Sequence, residues 1–161
     1  MRPLSSSDFR NPRALGLLAA FILVVILVGG LVGVSNTPDV WYQGLRKPPF
    51  NPPNWVFAPV WLALYVLIAI AGWRTFLSEP WGARMGLWCG QMVLNWAWSP
   101  VWFSLHWLWP AFAIILAIVL LILAFIVASW PRDRLAAWLF VPYASWVAFA
   151  ATLNFAVALL N

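Results

Sequence analysis

Five long apolar runs, separated by short segments rich in proline and charge, constrain this chain more than any other feature. They lie at about 14–34, 55–77, 83–105, 109–130 and 135–160. A hydrocarbon core of about 30 Å takes roughly 20 helical residues at 1.5 Å each, and each run has that length. With 65% hydrophobic and only 8% charged residues, the chain cannot furnish the charged shell of a water-soluble domain. The expected fold is an all-α integral membrane protein, a five-transmembrane-helix bundle. A polar amino-terminal tail occupies 1–13, and a single five-helix domain occupies 14–161, with no room for a second, soluble domain.

The segments between the runs refine this reading. A basic flank followed by an apolar run also describes a signal peptide. The first run is long for that role, and Gly33-Val34-Ser35 is a weak cleavage match, so a retained helix is expected. Residues 35–54 carry Pro38, Pro48, Pro49, Pro52 and Pro53, which argue against regular helix there. Yet this loop holds Trp41, Tyr42 and Phe50, more aromatic surface than a solvated loop uses, and is expected to pack down as a lid. Pro59 falls in the first turn of its helix, where a missing N–H matters little. Pro100 is expected to kink the third helix near its end, and Pro142 falls in the first half of the fifth. No internal repeat of the kind that marks inverted-repeat transporters is evident.

Five spans put the two termini on opposite sides. Arg2, Arg10, Arg13, Arg74, Arg84, Arg132 and Arg134 fall on one side, and Arg46 and Lys47 on the other. The positive-inside rule then places the amino terminus in the cytoplasm, with the lid and the carboxyl end outside. Because the basic residues flank apolar runs rather than forming one patch, nucleic acid is not an expected partner. A lone Cys89 excludes an internal disulfide, and four acids with one His argue against a metal site and leave no paired carboxylates for acid–base chemistry. No cofactor is expected. Charged residues are missing from the span centres, which argues against an ion-coupled pump.

Fourteen tryptophans in 161 residues remain to be explained. Trp55, Trp81, Trp107, Trp109, Trp130 and Trp138 sit near span ends, where Trp favours the membrane interface. Trp61, Trp98 and Trp146 sit deeper, and a deep indole needs a face to pack on and a partner for its N–H. Trp61 and Tyr65 share a helix face. Gln91, Asn95, Trp98 and Trp102 form an i, i+4, i+7, i+11 stripe, and Tyr143, Trp146, Ala150 and Asn154 form a similar one. Two readings fit these three faces: a pocket for a flat apolar ligand, or amide groups that bond between helices. Gly82, Gly86 and Gly90, spaced by four, are read either as a homodimer seam or as close packing within one monomer.

Three blocks carry a resemblance. They are Trp41-Tyr42-x-x-Leu45-x-Lys47-Pro48 continuing to Asn51-Pro52-Pro53-x-Trp55-x-Phe57-x-Pro59-x-Trp61; Asn95-Trp96-Ala97-Trp98-Ser99-Pro100-Val101-Trp102-Phe103; and Pro142-Tyr143-x-x-Trp146-x-x-Phe149-Ala150-x-x-Leu153-Asn154. In this order they resemble the TspO/MBR family of tryptophan-rich sensory proteins and translocator proteins, also known as peripheral benzodiazepine receptors. The resemblance implies a five-helix bundle, a homodimer, and a cavity closed by the first loop. It implies ligand-binding roles for Trp41, Tyr42, Trp61, Tyr65, Asn95, Trp98, Trp146, Ala150 and Asn154. The implied ligands are protoporphyrin and related tetrapyrroles, with isoquinoline- or benzodiazepine-type drugs besides. One departure stands out. The animal sterol motif needs an aromatic, usually Tyr, and then a basic residue near the chain end; here Leu153-Asn154-Phe155 runs to Asn161 without Lys or Arg. This argues against cholesterol binding through that motif. With no mitochondrial targeting segment apparent, a bacterial cell membrane is the expected setting.

The function expected from these features is that of a membrane receptor or carrier for tetrapyrroles, in stress or tetrapyrrole regulation. Two alternatives stay open: an enzyme that degrades porphyrin with light and oxygen, using Trp61 and Trp146, and a scaffold for other membrane proteins.

Overall fold

The computed structural model describes Phe9 and residues 11–161; Arg2 and Arg10 of the expected tail lie outside the described residues. Among the described residues six α-helices form and no strand does. They are α1 (Pro12–Ser35), α2 (Val40–Gly44), α3 (Phe57–Ser78), α4 (Ala83–Phe103), α5 (Leu108–Ser129) and α6 (Arg134–Leu160), with a 3₁₀ turn at Asn54–Val56 before α3. Four of the five long helices are long and apolar enough to cross a membrane: α1, α3 with its 3₁₀ turn, α5 and α6. The fourth helix, α4, misses that mark because Arg84, Gln91 and Asn95 and its four tryptophans lower its hydropathy.

Two of the long helices, α1 and α6, begin on side-chain caps. Asn11 caps α1 by accepting from the Arg13 N–H at 3.0 Å, with Pro12 at the first helical position, where its missing N–H is no loss. Asp133 caps α6 by accepting from the Ala136 N–H at 3.1 Å. Inside α6, Pro142 has no N–H to give the carbonyl four residues back. The loop 36–53 departs from expectation. A five-residue helix, α2, forms between Pro38 and Pro48, because residues 39–47 contain no proline and Asp39 accepts from the Tyr42 N–H at 3.0 Å as its N-cap.

The helices pack in the ring order α1, α3, α6, α5, α4, with α4 closing back on α1 and α3. The shared core consists of buried Ile68, Met92, Ile118, Ile122, Phe125, Phe140 and Val147, and the Phe125 and Phe140 rings lie 4.1 Å apart. Small residues let the helices approach. The Trp88 ring fits only because Gly72 has no side chain, and its indole donates to the Ile68 carbonyl at 2.9 Å. The Trp73 indole donates to the Ala14 carbonyl at 2.7 Å and ties α1 to α3.

One end of the bundle is fastened by charge. Arg74 pairs bidentately with Asp133 at 2.8 and 3.1 Å, joining α3 to the start of α6. Arg84 donates to Glu79 at 2.8 Å and to Ser78 at 2.9 Å, and both charged side chains are buried. The Arg84 guanidinium bonded to Glu79 holds its carboxyl below the usual glutamate range. Gly82 lies against this pair, and a Cβ there would run into the Glu79 carboxylate.

Candidate functional site

At the opposite end the helices spread around a cavity of about 630 Å³, within the range of about 300–1,000 Å³ usual for small-molecule sites. Its walls come from α1 (Gly29, Gly30, Gly33), α3 (Phe57, Ala58, Trp61, Tyr65), α4 (Asn95, Trp98, Trp102, Phe103), α5 (Ile115, Ile118) and α6 (Trp146, Ala150, Asn154), with Tyr42, Asn51 and Asn54 from the loop above. No charged side chain lines it among the described residues. The wall is therefore apolar and aromatic, with a few amides and hydroxyls to orient a guest.

Eight of the nine ligand-site residues expected from sequence border this space: Tyr42, Trp61, Tyr65, Asn95, Trp98, Trp146, Ala150 and Asn154. Trp41 does not. Its ring stacks on His106 at 4.0 Å, outside the cavity. His106 adopts a left-handed backbone, φ 58°, uncommon for a residue with a side chain, and in that turn also lies 3.4 Å from Asp39.

The loop is held down over the cavity by three further contacts and braced within itself by a fourth. Tyr42 is buried, with its ring edge on Phe103 at 5.3 Å. Within the loop, Lys47 donates to the Tyr42 carbonyl at 2.6 Å and lies 4.4 Å from the Tyr42 ring centre. The side chain of Asn161, after α6, accepts from the Arg46 N–H at 3.0 Å and donates to its carbonyl at 3.1 Å. Ser104 donates to Asn36 at 2.5 Å. The Asp39 carboxyl stays below the ordinary carboxylate range, chiefly because it accepts from the Tyr42 N–H and further because of His106. Phe50, the third aromatic of the loop, is exposed.

The polar groups of the wall are anchored. The Trp98 indole donates to Asn154 at 3.1 Å, and Asn154 donates to the Ala150 carbonyl at 3.0 Å. Tyr65 donates to Asn95 at 3.3 Å, and Asn95 donates to Tyr143 at 3.1 Å. Aromatic contacts run along the wall: Trp61 lies 5.4 Å from Tyr65, Trp98 stacks on Trp102 at 5.7 Å, and Trp146 meets Phe57 at 5.7 Å. The Nε1 of Trp146, like that of Trp96, is buried and has no acceptor among the described residues.

Several wall residues were not singled out from sequence. Trp102 was visible in the α4 stripe but not assigned to the site. Phe57 and Phe103 were visible only in the family-like blocks. Gly29 had no local signal. It is needed because the Tyr65 ring packs against it, and a Cβ at position 29 would lie 2.8 Å from the Tyr65 hydroxyl and closer still to the ring. Gly82, the residue before α4, and Gly86 and Gly90 within it have different surroundings. Gly82 faces Glu79, Gly90 faces Leu121 on α5, and only Gly86 opens onto free space.

Comparison with known proteins places this architecture. The TspO/MBR family model matches residues 19–160. Protein CrtK of Rhodobacter capsulatus is 36% identical over 148 residues, covering 89% of this chain and 92% of that protein. The tryptophan-rich sensory protein of Cereibacter sphaeroides is 37% identical over 129 residues, 80% of this chain and 82% of its own length. The translocator protein of Sus scrofa is 38% identical over 142 residues, 81% of this chain and 84% of its own length. The match runs from within α1 to the end of α6, and the chain belongs to the TspO/MBR family of helical integral membrane proteins.

Proposed function

We propose that this protein is a membrane receptor or carrier that holds a tetrapyrrole, or another flat apolar ring ligand, in the cavity beneath the first loop. The observation that carries the reading is the wall itself. Three indoles on three different helices, Trp61, Trp98 and Trp146, border one uncharged space. Stacking on the indole faces and burial of apolar ring area supply the binding energy, at roughly 25 cal/mol per Å² before ordering costs. The names of the relatives, a sensory protein and a translocator, fit a protein that receives a ligand and responds to it or passes it on.

The reading includes a setting. All five long helices cross the bilayer, α4 included, because α4 packs along α5 and shares its depth. Arg13, Arg74, Arg84, Arg132 and Arg134 mark the cytoplasmic end, and the loop with Arg46 and Lys47 faces outward. The bacterial relatives support a bacterial cell membrane. Two copies pair through the outward face of α4, where Gly86 leaves room for a second helix.

The test is a titration of the purified protein in detergent with protoporphyrin in the dark, followed by tryptophan fluorescence. Saturable quenching, lost when Trp61 and Trp146 are both replaced by Leu in a folded protein, is expected. Unchanged affinity in that double variant would refute the site. A new absorbing product that forms only under light, with more than one porphyrin consumed per protein, would assign the cavity to an enzyme instead.

A further inference from the structure

Below the cavity, a chain of hydrogen bonds leads away from Tyr65 to a residue that does not touch the cavity. Gln91 Nε2 donates to the Trp88 backbone carbonyl at 2.9 Å. Tyr143 donates to Gln91 Oε1 at 2.9 Å. Asn95 Nδ2 donates to Tyr143 at 3.1 Å, and Tyr65 donates to Asn95 Oδ1 at 3.3 Å. Gln91 and Tyr143 are fully buried and Asn95 nearly so, so bulk water offers no alternative partners.

The direction of every bond in this chain follows from the first one. A backbone carbonyl only accepts, so the amide nitrogen of Gln91 must face Trp88 and its oxygen must face Tyr143. That oxygen can only accept, so the single hydroxyl hydrogen of Tyr143 points at it. Tyr143 then has only lone pairs for Asn95, which must present its nitrogen. The Asn95 oxygen is left facing Tyr65, and it takes the one hydrogen that Tyr65 has. Tyr65 therefore offers its surroundings lone pairs and no donor.

We infer that Gln91 is a specificity-determining positioning residue: by fixing the direction of the Tyr143–Asn95–Tyr65 bonds, it makes Tyr65 an acceptor, so the cavity favours flat ligands that bring an N–H or O–H donor to Tyr65. This rests on the reading of the cavity as a ligand site and adds the polarity that the ligand must have. Removing the Gln91 amide frees the Tyr143 hydrogen to turn to Asn95. Asn95 then reverses, presents its nitrogen to Tyr65, and releases the Tyr65 hydrogen into the cavity. The preference for a donor is lost or inverted although no wall residue has changed.

The experiment compares two rigid tricycles of the same outline, phenanthridin-6(5H)-one and benzo[c]chromen-6-one, by saturable quenching of tryptophan fluorescence. Both carry the same ring carbonyl; only the lactam has an N–H where the lactone has a ring oxygen. Wild-type protein is expected to bind the lactam about 2- to 10-fold more tightly, the worth of one neutral hydrogen bond. Tyr65→Phe and Gln91→Leu should each bring the ratio to one or below. Tyr143→Phe, which unpins Asn95 by deleting the hydroxyl between, should do the same and serves if the Gln91 variant does not fold. The readout is the ratio of the two affinities, which general loosening of the bundle would not move. If both compounds displace protoporphyrin but the ratio is the same in wild type, Tyr65→Phe and Gln91→Leu, the polarity assignment is overturned and the cavity reading stands. If neither compound nor protoporphyrin quenches saturably, the cavity reading itself falls.

Discussion

Gly29 offers a sharp test of how the cavity wall is built. A Cβ at this position would lie 2.8 Å from the Tyr65 hydroxyl and closer to two ring carbons, where carbon contacts are normally about 3.5–4.0 Å. Gly29→Ala must therefore push the Tyr65 ring aside by on the order of 1 Å. The Tyr65–Asn95 bond, already 3.3 Å long, does not survive such a shift. Overpacking of this kind costs about 1–3 kcal/mol, and the lost hydrogen bond about 0.5–1.5 kcal/mol more. Better helix propensity returns up to about 1 kcal/mol. The net expected destabilisation is roughly 0.5–4.5 kcal/mol. Gly16→Ala on the same helix is the control, since nothing lies within 4 Å of its added methyl, and it collects the propensity gain alone. The two variants share that gain and so differ by about 1.5–4.5 kcal/mol; at about 2–4 °C per kcal/mol, thermal unfolding in detergent should separate them by roughly 3–18 °C. Gly29→Ala should also weaken binding of the lactam more than of the lactone. Equal melting temperatures for the two variants would refute the close contact between α1 and α3 and the placement of Tyr65.

Three further outcomes follow. Trp146→Leu, which takes an aromatic face off the wall, should weaken protoporphyrin binding by about 2- to 10-fold, the worth of one aromatic contact, while the missing N–H costs the protein no hydrogen bond because it has no acceptor to lose; a loss of stability with unchanged affinity would reverse the assignment. The Asp39 carboxylate anchors the loop. Because its folded value is lowered, its contribution is present above the ordinary carboxylate range, near pH 4, and disappears as pH falls through the lowered value. Limited proteolysis of residues 36–53 should therefore accelerate below about pH 4 in wild type, and Asp39→Asn should flatten that dependence; a profile identical in both would show that Asp39 does not hold the loop. Cys89 is an exposed free thiol one turn beyond Gly86 on α4, so mild oxidation in membranes should give a cross-linked dimer, and Gly86→Leu should abolish it. A chain that stays monomeric under oxidation would argue against pairing through this face.

Much of the architecture was legible because helix spacing and proline placement are local properties. The stripe of Asn95, Trp98 and Trp102 can be read at i, i+3 and i+7, and all three border the cavity. The same stripe over-extends by one turn at Gln91, which lies deeper and bonds Tyr143 instead. Spacing shows a shared face but not where along that face a cavity stops. Trp41 was unreadable for a related reason. Its partner, His106, lies on a different loop 65 positions away in the chain. Likewise Gly29 is one of four glycines in α1, and only the position of Tyr65 on another helix distinguishes it. The helix α2 was obscured by the prolines around it, although the Asp39 cap and the proline-free stretch that follows were both visible in the sequence. Gly82, Gly86 and Gly90 share a spacing but not an environment, because the neighbours that differ come from Glu79 and from α5.

The central claim is that a flat ring ligand lies in the cavity bordered by Trp61, Trp98 and Trp146. The most direct measurement is an experimental structure of the protein with protoporphyrin bound in a lipid nanodisc. The macrocycle is expected within van der Waals contact of all three indoles, beneath Tyr42. A macrocycle seated instead on the outward faces of the bundle, against Trp81, Trp130 or Trp138, with the cavity wall unchanged, would contradict the account.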